Sequence, residues 1–321
     1  MKKILYVMIA TIAIVWLNSC SQLDEPVPAD EVIETQVGSL ENDHLIANLM
    51  ALNDSLLADS QIRDMQSRGF WSKFKSWWRR SCNIIVADIN GCLKGAGVGF
   101  TLGGHVGATV GGVVVGTAYS LETWKKEAKE VDNSVHVSIK PIEAEVVELA
   151  YANVKLNSRL IEKERSESSD VRLAIPTRYK ASYETGLYHN ASLRLLVDEA
   201  KLGYTIEEAF TEEEYQVLSM PKFKTLYDEY LKQSKLYDID YYIENPDKSD
   251  RIIQLFLQVL TEYPSEHEDV AYLIYSYVQL IEQDDQISES QKEIVYSCLS
   301  TAAYSLHFWE EKLEGPTKKT K

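Results

Sequence analysis

Residues 91–116 read GCLKGAGVGFTLGGHVGATVGGVVVG, and the interpretation of this stretch decides the fold. It holds ten of the fifteen glycines in the chain. Gly91, Gly95, Gly99, Gly103, Gly107 and Gly111 recur every four residues, and a second row of Gly104, Ala108, Gly112 and Gly116 runs beside them. Four-residue spacing places each row along one face of a helix. A helical glycine costs about 1 kcal/mol relative to alanine, so the nine glycines from Gly95 to Gly116 would cost a lone helix on the order of 9 kcal/mol. Close helix–helix contact is the usual compensation, because a ridge without side chains lets two backbones approach. The partner is another copy of the chain or the same segment folded back, with Gly103-Gly104 and Gly111-Gly112 as candidate turn points. Residues 95–121 contain no Asp, Glu, Lys or Arg. As a helix they would be about 40 Å long, enough to cross a bilayer core. The glycines do not form a phosphate cradle. Lys94 precedes them instead of ending a Gly-Lys-Ser/Thr, and Phe100 or Leu102 stands where a dinucleotide fingerprint needs Gly or Ala.

Immediately upstream, residues 70–80 are cationic and aromatic. Phe70, Trp71, Phe74, Trp77 and Trp78 share an arc of about 120° on a helical wheel, with Lys73, Lys75, Arg79 and Arg80 on the remainder. Indoles and cations suit a lipid interface. The same pattern also suits an amphipathic helix docked on the acidic rest of the chain. Residues 70–121 together resemble the glycine-zipper stretches of class II bacteriocin-like peptides and of several outer-membrane lipoproteins. That resemblance implies membrane insertion or self-association through Gly91, Gly95, Gly99, Gly103, Gly107 and Gly111. The opposing interpretation is a buried helical hairpin in which small residues permit tight packing.

At the N-terminus Lys2 and Lys3 precede an uncharged run from Ile4 to Leu17, short for a spanning helix and right for a signal peptide. The run ends in Leu17-Asn18-Ser19-Cys20. This resembles a bacterial lipoprotein signal. The resemblance implies lipidation of the Cys20 sulfur with diacylglycerol, cleavage before Cys20 and acylation of the new amine with a palmitate-like chain. Several acyl chains hold a protein to a membrane where one would not. The residue after Cys20 is Ser21, not Asp, and Ser21-Gln22-Leu23-Asp24-Glu25 partly resembles the surface-export signal of Bacteroidetes lipoproteins. Both point to the outer membrane, on its periplasmic or cell-surface face. With Cys20 lipidated, Cys82, Cys92 and Cys298 remain, an odd number. On one helix Cys82 and Cys92 would lie about 15 Å apart, too far to bridge.

Domain organisation follows from composition. Residues 1–19 form the signal peptide, and 20–40, with Pro26, Pro28 and few large apolar groups, read as a flexible tether. Residues 41–68 hold an amphipathic helix marked by Leu45, Leu49, Leu52 and Leu56. The cationic aromatic helix and zipper fill 69–121, and 122–321 form an acidic all-α domain, with a short strand possible at Val135 to Lys140. Helix is expected over Val146 to Glu164 and across most of Arg178 to Glu314. The expected fold class is mainly α, a zipper helix or helical hairpin plus an all-α domain.

The chain carries 33 Lys+Arg against 49 Asp+Glu, a net charge of −16. That balance argues against nucleic acid as a partner. No His-Glu-x-x-His, Cys-x-x-Cys or Gly-x-Ser-x-Gly occurs, and no metal ligand set or cofactor is expected. Gly186-Leu187-Tyr188-His189-Asn190 loosely resembles a Gly-x-x-His-Asn element of uncharacterised Bacteroidetes proteins, some of which also carry a late Ser-x-x-x-Trp stretch, here Ser305 to Trp309. His189 and Asn190 either line a pocket or cap a helix that begins near Asn190. Three functional readings result. In the first, a non-enzymatic outer-membrane lipoprotein packs its zipper against membrane lipid or another copy, making a homo-oligomer. In the second, a lipid-anchored soluble module buries the zipper as core and binds a protein or glycan. In the third, an enzyme uses His189.

Overall fold

The computed structural model describes residues 43–66, 71–131, 143–169, 171, 173–198, 202–221, 223–225, 246–262 and 267–313. Among these residues every regular element is a helix, as the mainly α expectation requires. Cys20, Phe70, the signal peptide, the tether and the possible strand at Val135 to Lys140 lie outside the described residues. So do the side chains of Trp71, Phe74 and Trp77.

Helix α1 (His44–Gln66) follows the leucine spacing and buries Leu45, Leu49 and Leu56. Helix α2 (Trp71–Val131) is 61 residues long and contains the zipper. It leaves helical geometry at Gly103 and Gly104 only, which divides it into limbs 71–102 and 105–131. Gly104 has φ 56° and ψ −141°, a conformation open to glycine and strained for any other residue. No atom lies within 4 Å of where its Cβ would stand, so the backbone angle alone requires glycine there. The two limbs fold back on each other. A Cβ added to Gly95 would sit 2.0 Å from the Gly111 carbonyl oxygen, and one on Gly99 would sit 2.0 Å from that of Gly107. The second candidate turn, Gly111-Gly112, stays within the second limb as helix.

Helices further along the chain pack on this hairpin and on one another. Helices α3 (Ala144–Leu156) and α4 (Ser158–Glu167) replace the single helix expected over Val146 to Glu164. Asn157 breaks it at φ −112° and ψ 87°, and its N–H closes α3 on the carbonyls of Asn153 and Val154. A 3₁₀ turn (Thr177–Tyr179) leads into α5 (Lys180–Val197). The short α6 (Ile206–Ala209) and α7 (Glu212–Ser219) each begin with a capping box, Thr205 with Glu208 and Thr211 with Glu214. Then come α8 (Lys248–Glu262), α9 (His267–Gln283) and α10 (Glu289–Leu313).

The described residues from His44 onward group as one compact unit, and α2 runs on to Val131 without a break at 121/122. Helix α10 is the axis of this unit. From Ile294 to Leu306 every residue is buried, followed by Phe308 and Trp309. A helix surrounded on all sides cannot be amphipathic. Its Ser297, Ser300, Thr301, Ala302, Ala303 and Ser305 therefore serve as small contact points for the helices around it. One of these is α5, where a Cβ on Gly186 would lie 2.4 Å from the Ser300 carbonyl oxygen. Ser81–Glu127 is long and apolar enough to cross a membrane, and half of its apolar window is buried within the protein.

Candidate functional site

The polar residues of interest meet where the first limb of α2, its second limb, α5 and α10 come together. Asp88 comes from the first limb, in the apolar run Ile84-Ile85-Val86-Ala87-Asp88-Ile89, and is 0% exposed. The Ser305 hydroxyl and the Trp309 indole N–H, the latter at 3.2 Å, both donate to its Oδ2. Trp309 is held in place by stacking on Trp124 of the second limb, with ring centroids 6.0 Å apart. The Ser120 hydroxyl stands beside the same carboxyl and favours its ionised form, short of hydrogen-bond geometry.

His189 approaches from α5 and is also 0% exposed. It lies beside Gly116, where an added Cβ would be 3.3 Å from its Cδ2, so the second glycine row makes room for the imidazole. Asn190 donates from Nδ2 to the Tyr304 carbonyl at 2.5 Å and to Glu164 Oε1 at 3.4 Å. Its Oδ1 is therefore the acceptor for His189 Nδ1 at 3.2 Å. This network assigns the His189 proton to Nδ1 and leaves a lone pair on Nε2. Nε2 stands 4.0 Å from Asp88 Oδ1, and neither atom has a hydrogen-bond partner.

Burial controls the charges. It pushes the Asp88 carboxyl up to about 8, against the pull of Ser120, Ser305 and Trp309. It pulls His189 down to about 4, against the Asn190 and Gly116 groups that favour the imidazolium. At neutral pH the pair is a carboxylic acid facing a neutral imidazole, with no net charge. Beyond Asn190 the network reaches the surface. Arg194 Nε donates at 2.8 Å to Glu164, which is 1% exposed, and the guanidinium also meets Glu167 and Glu311. An acid and a base within 4.0 Å could exchange a proton, but both are sealed, and no substrate reaches either without opening the bundle.

His189 and Asn190 are not a helix cap. Helix α5 begins at Lys180, nine residues before His189, so both lie mid-helix and fully buried. Asn190 does bond a backbone group, that of Tyr304 on another helix. The structure brings together the Gly-x-x-His-Asn element and the Ser-x-x-x-Trp stretch, both on Asp88. Sequence reasoning missed Asp88 itself; a single acid inside an apolar run was the available signal.

The remaining candidate residues lie apart from this cluster. Gly91, Gly95, Gly99, Gly107 and Gly111 are buried between the limbs, and Gly103 lies against Val217 of α7. Trp78 is 4% exposed and belongs to the core. Cys82 faces the Leu260 carbonyl of α8. A shallow groove of about 350 Å³ opens between α3, α6 and α7, lined by Glu145, Glu148, Glu207, Tyr215 and Lys224 over Ile206 and Leu218. Partial burial, with Glu145 nearby, raises the Glu148 carboxyl above its ordinary range. No group of three or more His, Cys, Asp or Glu that could hold a metal ion occurs among the described residues. No family model, curated protein or solved structure matches this chain.

Proposed function

We propose that this protein is a lipid-anchored helical binding module. In this reading Cys20 carries the acyl chains, residues 20–40 space the body from the outer membrane, and the zipper is internal packing. One observation carries the proposal: the first glycine row closes on itself within a single chain, Gly95 on Gly111 and Gly99 on Gly107, beneath the surrounding helices. A ridge already used for intramolecular contact is not free for a second copy or for lipid tails. The outer surface then carries the binding role. Tyr204, Tyr215, Tyr272 and Tyr275 are 42–57% exposed and offer aromatic area of the kind protein and glycan partners contact. A catalytic role for His189 would require the bundle to open.

The test removes the lipid. Residues 21–321, without Cys20, are floated with anionic liposomes. The expected result is a folded monomer that stays with the soluble fraction. Flotation of the unlipidated chain would overturn the proposal. It would favour the second reading, a zipper hairpin that enters the bilayer, which the length and hydropathy of Ser81–Glu127 support.

A further inference from the structure

We infer that the groove between α3, α6 and α7 receives an arginine side chain presented by a protein partner. Its walls are acidic. Residues 143–154 hold three Glu and residues 205–219 hold five, with no Lys or Arg in either stretch. Glu145 and Glu148 lie one turn apart on one face of α3, and Glu207 adds a third carboxylate from α6. The floor is apolar, made by the buried Ile206 and Leu218, and the ring of Tyr215, 48% exposed, forms part of the wall. Among the described residues that line the groove, Lys224 is the one cation.

These carboxylates differ from others that the protein places between helices. Glu282 is bonded by Tyr296 and Arg178, and Asp284 by Lys248. Burial raises both carboxyls, but these partners outweigh it and hold both below their ordinary range. Glu148 is half-buried and has no such bond among the described residues. Burial raises its carboxyl, Lys224 only partly offsets the rise, and Glu145 adds to it. An incoming cation would relieve both the burial cost and the repulsion. That cation is organic, since no group of three or more ligands for a metal ion occurs among the described residues. A groove of about 350 Å³ that is this shallow would leave a free amine largely in water, whereas small-molecule sites bury most of their ligand. A side chain delivered by a larger surface needs no such enclosure. Arginine fits better than lysine. Its guanidinium is weakly hydrated, stacks on aromatic rings and meets carboxylates in a planar fork, while its stem covers apolar surface. The exposed Glu208, Glu212 and Glu213 on the same two helices add an acidic field that steers a cation toward the groove. Such a contact presupposes the binding role proposed above and is indifferent to the lipid anchor.

The test uses residues 21–321, the chain used for flotation, with isotope-labelled Ile and Leu methyl groups observed by NMR in about 0.15 M salt. The probe is an acetylated and amidated alanine–serine heptapeptide with one central arginine. Matched peptides carry lysine or citrulline, the uncharged isostere of arginine, at that position. The expected result is a saturable shift of the Ile206 and Leu218 methyls with the arginine peptide, at a Kd on the order of 1 mM. Lysine should bind more weakly and citrulline not at all. Glu148→Gln should weaken arginine binding roughly tenfold. It should leave the melting temperature unchanged or raised, because it removes a charge that burial disfavours. Glu262→Gln, at an exposed acid of α8 outside the lining, should change nothing. Equal shifts with citrulline, equal affinity for lysine, unaltered affinity in Glu148→Gln, or no shift at any peptide concentration would each overturn the inference. Shifts of the same methyls on diluting the protein alone would assign the groove to a second copy and overturn it as well. The titration reads peptide binding and flotation reads lipid binding, so failure of either leaves the other result standing.

Discussion

The glycine seam between the two limbs of α2 and the polar seam where α2 meets α5 and α10 are both closed to solvent, but by opposite means. The first removes side chains, so that carbonyls and α-carbons pack directly. The second fills its space with Asp88, His189, Asn190, Ser305 and Trp309, and its stability depends on how well their donors and acceptors match. One helix carries both seams. Its first glycine row spans both limbs and closes on itself, and Gly116 of the second row makes room for His189. Backbone packing tolerates no added atom, whereas a polar network tolerates changes that preserve its hydrogen bonds and protons.

The largest effect is expected in the glycine seam. Gly95→Ala should destabilise the protein by about 3 kcal/mol in urea unfolding followed by circular dichroism, because the limbs must separate to admit the methyl group. This loss outweighs the propensity gain of about 1 kcal/mol from alanine. An unchanged midpoint would break the distinction between the two seams.

Asn190→Ala should cost about 2–3 kcal/mol in the same assay, by leaving the His189 Nδ1–H buried without a partner and removing the bond from Asn190 to the Tyr304 carbonyl. Asn190→Asp should not restore this loss, since a carboxylate cannot donate to Tyr304.

The next effect is one of pH. Asp88 is raised to about 8 from 3.8, so its folded form holds a proton that the unfolded chain releases. His189 is lowered to about 4 from 6.5, so the unfolded chain holds a proton that its folded form lacks. From pH 4 to 6.5 these two contributions cancel. From pH 6.5 to 8 only Asp88 acts, and stability should fall by about 2 kcal/mol as pH rises. Asp88→Asn should abolish that fall and expose the opposite slope below pH 6.5, where the His189 contribution is lost as pH drops. Urea midpoints measured for both proteins across pH 4–9 isolate the difference from the other carboxylates. Parallel curves would show that Asp88 is ionised in the folded state.

The smallest effect serves as the control. Gly97 lies off both rows, and no atom stands within 4 Å of where its Cβ would be. Gly97→Ala should stabilise by about 0.5–1 kcal/mol. A loss at Gly97 comparable with that at Gly95 would mean that helix strain, not limb contact, sets the cost.

Much of the glycine seam was legible in the chain. The spacing of Gly95, Gly99, Gly107 and Gly111 identifies a face, and the Gly103-Gly104 doublet marks where that face can fold onto itself. The leucines of α1 were equally readable, because amphipathic periodicity is a local property. The polar seam was only half legible. His189, Asn190, Ser305 and Trp309 could be noticed, but Asp88, which His189, Ser305 and Trp309 face, is over a hundred residues away on another helix. The break at Asn157 was also hidden, since the apolar positions on either side of it keep a helical rhythm.

The sequence by itself determined that the chain is helical, that its glycines must meet a backbone closely, and which faces of its helices seek burial. Each of these follows from interactions within a few turns of one helix. Only the tertiary structure decided that the glycines meet within one chain and that a histidine and an asparagine lie mid-helix rather than at a cap. Those outcomes depend on the rotation and register with which α5 and α10 dock on the hairpin. That register is set by the summed packing of many small and polar side chains, no one of which carries a signal along the sequence.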